Sequence, residues 1–317
     1  MIRALATSMC WLLSMTLAAA CAPEPVVDDQ PPVVRIASGP DDETRILAHV
    51  VAALVAQGEF RAQVVPFSDS RDARQALELG EVDIGIGYTG EVWLEVLGRP
   101  DPPSDPRAGW LAVSEHDAER GLVWMRPRFG NGIDEPPANA TFAFVVQGPP
   151  SIDADLVTMS QLAARLSARP DALVCVDREF ADRPDGLAAV LLAYSVRSDR
   201  PFLAADPAEA VLGVAAGECI AGLTTATDGA AWRSGLYPLA DDLRVFPAFV
   251  PLPVITSQLA DEHPGVAGLL RPLSQHLTTS RLGAMNARLR AGAPIGTVAD
   301  EAAASLTDAA VLSDEPD

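Results

Sequence analysis

From Val33 onward the apolar positions keep two rhythms, short continuous runs and a spacing of 3.6 residues, and their alternation predicts strands and helices in turn. Residues 33–37 are a short apolar strand. Ile46, Leu47, Val50, Val51 and Leu54 then recur on one helical face. Asp41 and Asp42 stand at the start of that helix, where carboxylates meet the positive end of the helix dipole, and Gly58 closes it. A second unit follows: a strand at 63–67, a helix at 70–79 with Ala73, Ala76 and Leu77 on its buried face, a stop at Gly80, and a third strand at 82–87. Further strands are predicted at 172–176 and 219–224 with helices between and after them, and roughly the last fifty residues read as wholly helical. Residues 142–146 and 245–255 are apolar and extended and flank the second set of units, as two crossover strands between lobes would. The pattern therefore predicts an α/β chain of two lobes, each a mostly parallel sheet flanked by helices, joined by two hinge strands.

Composition supports that division. A chain of 317 residues with 49% hydrophobic positions is long enough for two lobes with cores of their own. A formal charge of −20, with all basic charge on arginine and no lysine, excludes the phosphate-tracking surface of a nucleic-acid binder. Proline-rich turns at 100–106 and 130–137 read as surface loops.

The N-terminus carries an export signal. Arg3 supplies a positive start, residues 4–17 are mostly apolar, and Leu17-Ala18-Ala19-Ala20 leads into Cys21. Small residues before a cysteine suit a lipoprotein peptidase, after which the Cys21 thiol takes lipid and holds the chain to a bacterial membrane. Ordinary secretory cleavage beside an incidental cysteine is the alternative, and both export the protein. Residues 22–32 are proline-rich and acidic, an extended tether rather than packed chain.

The search for reactive chemistry finds absences. His49, His116, His263 and His276 are isolated from one another and from cysteine, with no metal-ligand spacing. There is no GxSxG elbow, no phosphate-cradling GxxxxGK and no dinucleotide GxGxxG opening a helix, so neither an enzyme nor a cofactor is expected. Cys175 and Cys219 fall on the two strands of the second lobe, where a disulfide and two buried free thiols are both open.

What remains is a set of short blocks in fixed order. Ser38-Gly39-Pro40-Asp41-Asp42-Glu43 opens the first helix, and Ala76-Leu77-Glu78-Leu79-Gly80-Glu81-Val82-Asp83-Ile84 runs on to Tyr88-Thr89-Gly90. Asn139-Ala140-Thr141-Phe142-Ala143, then Glu179-Phe180 with Arg183, Asp185 and Gly186, then Thr227-Asp228-Gly229, Leu239-Ala240-Asp241-Asp242, Phe246-Pro247-Ala248-Phe249 and Met285-Asn286 follow. Together they resemble the osmoprotectant (glycine betaine, choline, carnitine) binding proteins of ABC importers, an OpuAC/ProX-like family, over nearly all of residues 33–306. The resemblance implies a type II periplasmic-binding-protein-like fold, with 33–142 and 246–317 as one lobe and 143–245 as the other. It also implies a monomer that passes a small solute to permease subunits and their ATPase.

The same resemblance implies the site. Family members hold a quaternary ammonium head among aromatic faces, because a methylated cation has no N–H to donate and is recognised by π surfaces. The matching positions are Tyr88, Phe142, Thr225 and Phe249, so one tyrosine and two phenylalanines remain and Thr225 offers no face. Arg183 keeps its place as an anion partner, and Ser38 and Asp42 lie in the first turn. Gly39 and Glu91 stand where some members carry lysine and threonine. A carboxylate at Glu91 disfavours glycine betaine in the usual pose and favours a solute bearing an alcohol or a second amine. Two further readings stay open: a binder of another small polar or cationic solute, and a sensory lipoprotein that has lost transport. Packing roles are the competing account of Tyr88, Phe142 and Phe249, an ion pair with Asp185 or Asp182 that of Arg183, and a helix start that of Asp42 and Glu43.

Overall fold

The computed structural model describes residues 30–129, 136–148 and 156–314. The export signal with Cys21, most of the tether and most of the 130–137 loop lie outside these residues. The chain divides into Met1–Pro31 and Pro32–Asp317, and every element below belongs to the second unit. No helix among the described residues is long and apolar enough to cross a membrane.

The first stretch runs β1 (Val33–Ser38), α1 (Asp42–Val55), β2 (Arg61–Pro66), α2 (Ser70–Glu78), β3 (Ile84–Tyr88), α3 (Thr89–Glu95), α4 (Pro106–Ala118) and β4 (Leu122–Trp124). The second runs β5 (Phe142–Gln147), α5 (Met159–Ala168), β6 (Val174–Val176), α6 (Arg178–Asp182), α7 (Leu187–Ala193), β7 (Leu203–Ala204), α8 (Pro207–Ala215), β8 (Ala221–Thr225), α9 (Gly229–Arg233) and β9 (Leu236–Pro238). The chain then returns through β10 (Pro251–Thr256) to α10 (Ser257–Glu262), α11 (Gly265–His276), α12 (Thr279–Arg290) and α13 (Ile295–Asp314).

Two five-stranded sheets result, ordered β2-β1-β3-β10-β4 and β7-β6-β8-β5-β9. In the first, β1 pairs parallel with β2 and β3, and β10 lies antiparallel to both β3 and β4. In the second, β6 pairs parallel with β7 and β8, and β5 lies antiparallel to β8 and β9. Four strands of each sheet therefore share one direction and one opposes them, and the opposed strand is the first after the chain changes sheet. The two apolar runs predicted as crossover strands overlap these strands, but each strand is laddered within a single sheet instead of bridging the two. Every residue of β10 and four of the six in β5 are buried, the continuous apolar pattern of a strand covered on both faces. Residues 125–141 and 239–250 carry the chain between sheets.

Helices cover both faces of each sheet. On one face of the first sheet, α1, α11 and α13 bury Ile46, Val50, Leu270 and Val298, while on the other Leu77, Val92 and Val113 come from α2, α3 and α4. The second sheet buries Leu162 and Val190 on one side and Ala210 and Val214 on the other. Cys175 on β6 and Cys219 before β8 are joined in a disulfide, their Cα atoms 5.7 Å apart, which resolves the alternative left open by the sequence.

Helix α12 ties the C-terminal segment to the second sheet's helices by close approach to α9. A Cβ on Gly283 would stand 2.2 Å from Trp232 Nε1, and one on Gly229 would stand 2.6 Å from the Asn286 carbonyl oxygen. Glycine at 283 leaves room for the Trp232 indole and glycine at 229 lets the α9 backbone meet that of α12, which brings Asn286 beside Thr227.

Candidate functional site

The block Tyr88-Thr89-Gly90 sits where β3 turns into α3, at the carboxyl end of a strand in an open α/β sheet, the position where such sheets bind ligands. Thr89 is fully buried; its Oγ1 accepts from the Val250 N–H at 3.0 Å and donates to the Ala248 carbonyl at 3.3 Å. It thereby fastens the end of β3 to the returning crossover. Gly90 lies under the Phe249 ring, whose atoms would stand 2.7 Å from any Cβ there. Phe249 is anchored through its backbone as well, donating to Asn139 Oδ1 at 2.7 Å and accepting from the Ala140 N–H at 2.9 Å. The two crossover segments are thus bound to each other beside Tyr88.

Tyr88 is partly buried and its hydroxyl donates to Glu43 Oε1 at 2.8 Å. Burial, with the Glu43 charge next to it, pushes that hydroxyl well above its ordinary pKa, so it remains a donor. Glu43 lies in the first turn of α1 and also takes hydrogen bonds from Asn286 Nδ2, 2.7 Å from Oε2, and from the Thr227 side chain. Asn286 Nδ2 donates in addition to the Thr227 carbonyl at 2.9 Å. One carboxylate therefore joins α1, β3, α12 and the turn after β8. Burial raises its pKa while the three hydrogen bonds hold it down, with burial prevailing. Glu43 does stand in the first turn of α1, as its place in the sequence implies, while Asp41 makes the N-cap bond by accepting the Thr44 N–H at 2.9 Å.

A cavity of about 600 Å3 opens against Tyr88, lined only by β1, α1, α2, β3, α3, β10 and the turns joining them. Glu91 is in its wall, and Gly39 and Thr44 border it near Tyr88. Arg74 in α2 closes one side and is held by a buried anion: both its Nη atoms donate to Asp117 at 2.7 Å, and Trp124 Nε1 donates to the same carboxylate at 2.6 Å.

The remaining expected residues lie elsewhere. Phe142, the first residue of β5, and Thr225, the last of β8, are cross-strand partners at one end of these two central strands, and both are exposed. The Phe142 ring packs 5.4 Å from that of Phe180, which in turn meets Phe246 at 6.4 Å. Arg183 stands 5.7 Å over Phe180 and is paired with Asp185, the ion-pair role weighed for it from sequence. Phe180, buried at the centre of this group, belongs to the Glu179-Phe180 block and is not among the residues expected at the site. Ser38 is buried at the end of β1. Asp42 faces Arg45 at 3.3 Å and Arg290 at 3.8 Å, a surface pairing of α1 with α12. The structure thus gathers Tyr88, Glu91 and Phe249 around the end of β3 and places Phe142, Thr225 and Arg183 around Phe180 in the second half.

Asp241 and Asp242 fasten the start of the return crossover. Asp241 accepts from the Tyr194 hydroxyl and from the Phe246 N–H, the latter at 2.7 Å, and Asp242 accepts from the Ser160 N–H at 3.0 Å.

A family model described as the substrate-binding domain of the ABC-type glycine betaine transport system matches residues 32–305. The chain belongs to this family. The glycine-betaine-binding protein of Pseudomonas aeruginosa PAO1 is 29% identical over 268 residues, covering 82% of this chain and 83% of that protein. Glycine betaine-binding protein YehZ of Escherichia coli K12 is 26% identical over 265 residues, 81% of this chain and 84% of that one. Among solved structures, apo YehZ from Escherichia coli superposes with a TM-score of 0.74 at 25% identity, covering 86% of this chain and 96% of that chain. A structure titled glycine betaine/carnitine/choline ABC transporter has the same fold, with a TM-score of 0.71 at 22% identity over 84% of this chain and 96% of that chain. The two mixed sheets are accordingly the two lobes of a type II periplasmic-binding-protein-like fold, as expected. Members of the family are substrate-binding components of ABC importers, which work outside the cytoplasm, and are not enzymes.

Proposed function

We propose that this chain captures a small quaternary ammonium solute of the choline or betaine kind between its lobes and delivers it to an ABC permease with its ATPase. The observation that carries this reading is Tyr88 at the carboxyl end of β3, its hydroxyl fixed by Glu43 and its flank open to a cavity of about 600 Å3. A fixed aromatic face beside a cavity suits a methylated cation, each such face being worth ~0.5–2 kcal/mol. Phe249, seated on Gly90, and Phe142, opposite Thr225, are the further aromatic walls, and Arg183 is the candidate anion partner across the cleft. Ser38 and Asp42 flank the turn whose Gly39 borders the cavity. The protein works as a monomer, held to a bacterial membrane through lipid on Cys21; the residues before Cys21 support that anchor, and the Cys175–Cys219 disulfide suits an oxidising compartment.

Thermal unfolding of the purified protein against choline, glycine betaine, carnitine, polyamines and amino acids tests the binding reading. A ligand that binds only the folded state adds ~2.7 kcal/mol at a hundredfold excess over Kd. The expected result is a raised midpoint with a quaternary amine that disappears in Tyr88→Ala; no shift with any quaternary amine overturns the reading. For the anchor, Cys21→Ser should release the protein from membranes and abolish lipid labelling.

A further inference from the structure

The cavity beside Tyr88 has an apolar lining, with Ala37, Leu77, Val92 and Val254 among its residues, and a small set of charged groups. Its two cations are already engaged. Arg71 Nε donates to Glu95 Oε2 at 3.0 Å, and Arg74 is held by Glu78 at 2.7 Å as well as by the buried Asp117. Glu91 is different. It is partly buried in the same wall, and among the described residues its carboxylate makes no hydrogen bond and no ion pair. Burial first, then the negative charges of Glu95 and Asp41, push its carboxyl above the usual range, against the opposing charge of Arg71, which is not hydrogen-bonded to it.

A half-buried carboxylate without a donor is a cost that a ligand can remove, because a hydrogen bond to a charged group inside a protein is stronger than one between neutral groups. The volume lies within the ~300–1,000 Å3 typical of small-molecule sites. We propose that Glu91 is the specificity-determining residue of this site: it accepts a hydrogen bond from the far arm of a small organic cation, a hydroxyl or ammonium group, and excludes solutes whose far arm is a carboxylate. A zwitterion would set its carboxylate against Glu91, whereas an amino alcohol or a diamine would satisfy it, so the discrimination comes from repulsion as much as from attraction. This rests on the reading that Tyr88 holds the cationic head.

Isothermal titration calorimetry with choline, glycine betaine and putrescine, on the wild type and on Glu91→Thr, Glu91→Gln and Tyr88→Ala, tests it, with circular dichroism melts confirming that each variant folds. The wild type is expected to bind choline or putrescine at least about tenfold more tightly than glycine betaine, and Glu91→Thr to reduce that ratio about tenfold with Glu91→Gln intermediate. Preference for choline, lost in Tyr88→Ala, supports both readings. Preference for putrescine with no binding of either quaternary amine supports the role of Glu91 and overturns the quaternary one. Glycine betaine bound as tightly as choline by the wild type, a ratio unchanged in Glu91→Thr, or no binding of any of the three overturns the assignment of Glu91.

Discussion

The Tyr88 hydroxyl donates to Glu43 at 2.8 Å, so the aromatic residue at the end of β3 is held by a carboxylate that also bonds to Asn286 and Thr227. The native pKa of Glu43 is raised above its ordinary 4.5, mainly by burial. The folded state therefore binds this proton more tightly than the unfolded chain does, and the contribution to stability falls as pH rises from about 4.5 toward the native value. Acidification from neutral pH to about pH 4.5 should accordingly favour the wild type over Glu43→Gln, which has no proton to take up. Thermal midpoints of the two proteins across that range check this; parallel midpoints would exclude a raised pKa at Glu43.

Ring and hydroxyl of Tyr88 are separable. Tyr88→Phe keeps the π face and removes one donor from a buried carboxylate, a loss of about 1.5–3 kcal/mol in stability with quaternary-amine affinity within about threefold of wild type. Tyr88→Ala removes the face too and should cost a further ~0.5–2 kcal/mol in binding. Calorimetric Kd values beside urea midpoints distinguish the two losses. An equal fall in affinity for both variants would show that the ring has no part in recognition.

Much of this arrangement was legible in the chain because its signals are local. The 3.6-residue spacing of Ile46, Val50 and Leu54 placed α1, and the apolar runs placed β5 and β10 within a few residues. The strands that went unread, β4, β7 and β9, have two or three residues each, too few for a period to register; α3 and α4 also went unread, α3 with seven residues and α4 with Gly109, Val113 and Asp117 as its buried face, of which only Val113 is a large apolar residue. The gaps in the site have a different cause. Glu43 reads as a helix-start carboxylate because its true partners, Tyr88 and Asn286, lie 45 and 243 positions away. Asp42, one residue earlier, carries the same local signal yet faces Arg45 and Arg290 at the surface. Only the turn of the helix decides which of two adjacent acids points inward. No local signal joins Phe142 to Thr225; the resemblance alone grouped them, and the antiparallel pairing of β5 with β8 is what makes them cross-strand neighbours.

Asp117 supplies a test of the frame beside the cavity. Its carboxylate is fully buried and accepts both Nη donors of Arg74 and the Trp124 indole N–H. Asp117→Ala leaves the Arg74 guanidinium without its buried partner and should cost about 3–5 kcal/mol. Glu78 bonds to the same guanidinium from a position with 36% of its side chain exposed, so Glu78→Ala should cost at most about 1 kcal/mol. Urea midpoints measure both. Equal penalties would mean that burial does not set the strength of this network.

The disulfide and α8 make a coupled pair with an unusual sign. Alanine in place of glycine inside a helix ordinarily stabilises by about 1 kcal/mol. A Cβ on Gly213, however, would stand 2.7 Å from Cys175 Sγ, inside any normal contact. Gly213→Ala should therefore destabilise the oxidised protein by about 1–3 kcal/mol, the usual cost of overpacking. Replacing Cys175 and Cys219 together by alanine removes the obstructing sulfur and also a crosslink between positions 44 apart, whose loss should cost about 4 kcal/mol in the chain-entropy account. In that background the helix preference has nothing to oppose it, and Gly213→Ala should become neutral or stabilising. The sign change is a coupling energy, read from the four thermal midpoints of a double-mutant cycle. A penalty of the same size in both backgrounds would place the obstruction somewhere other than Cys175, and the glycine would then need another explanation than the disulfide beneath α8.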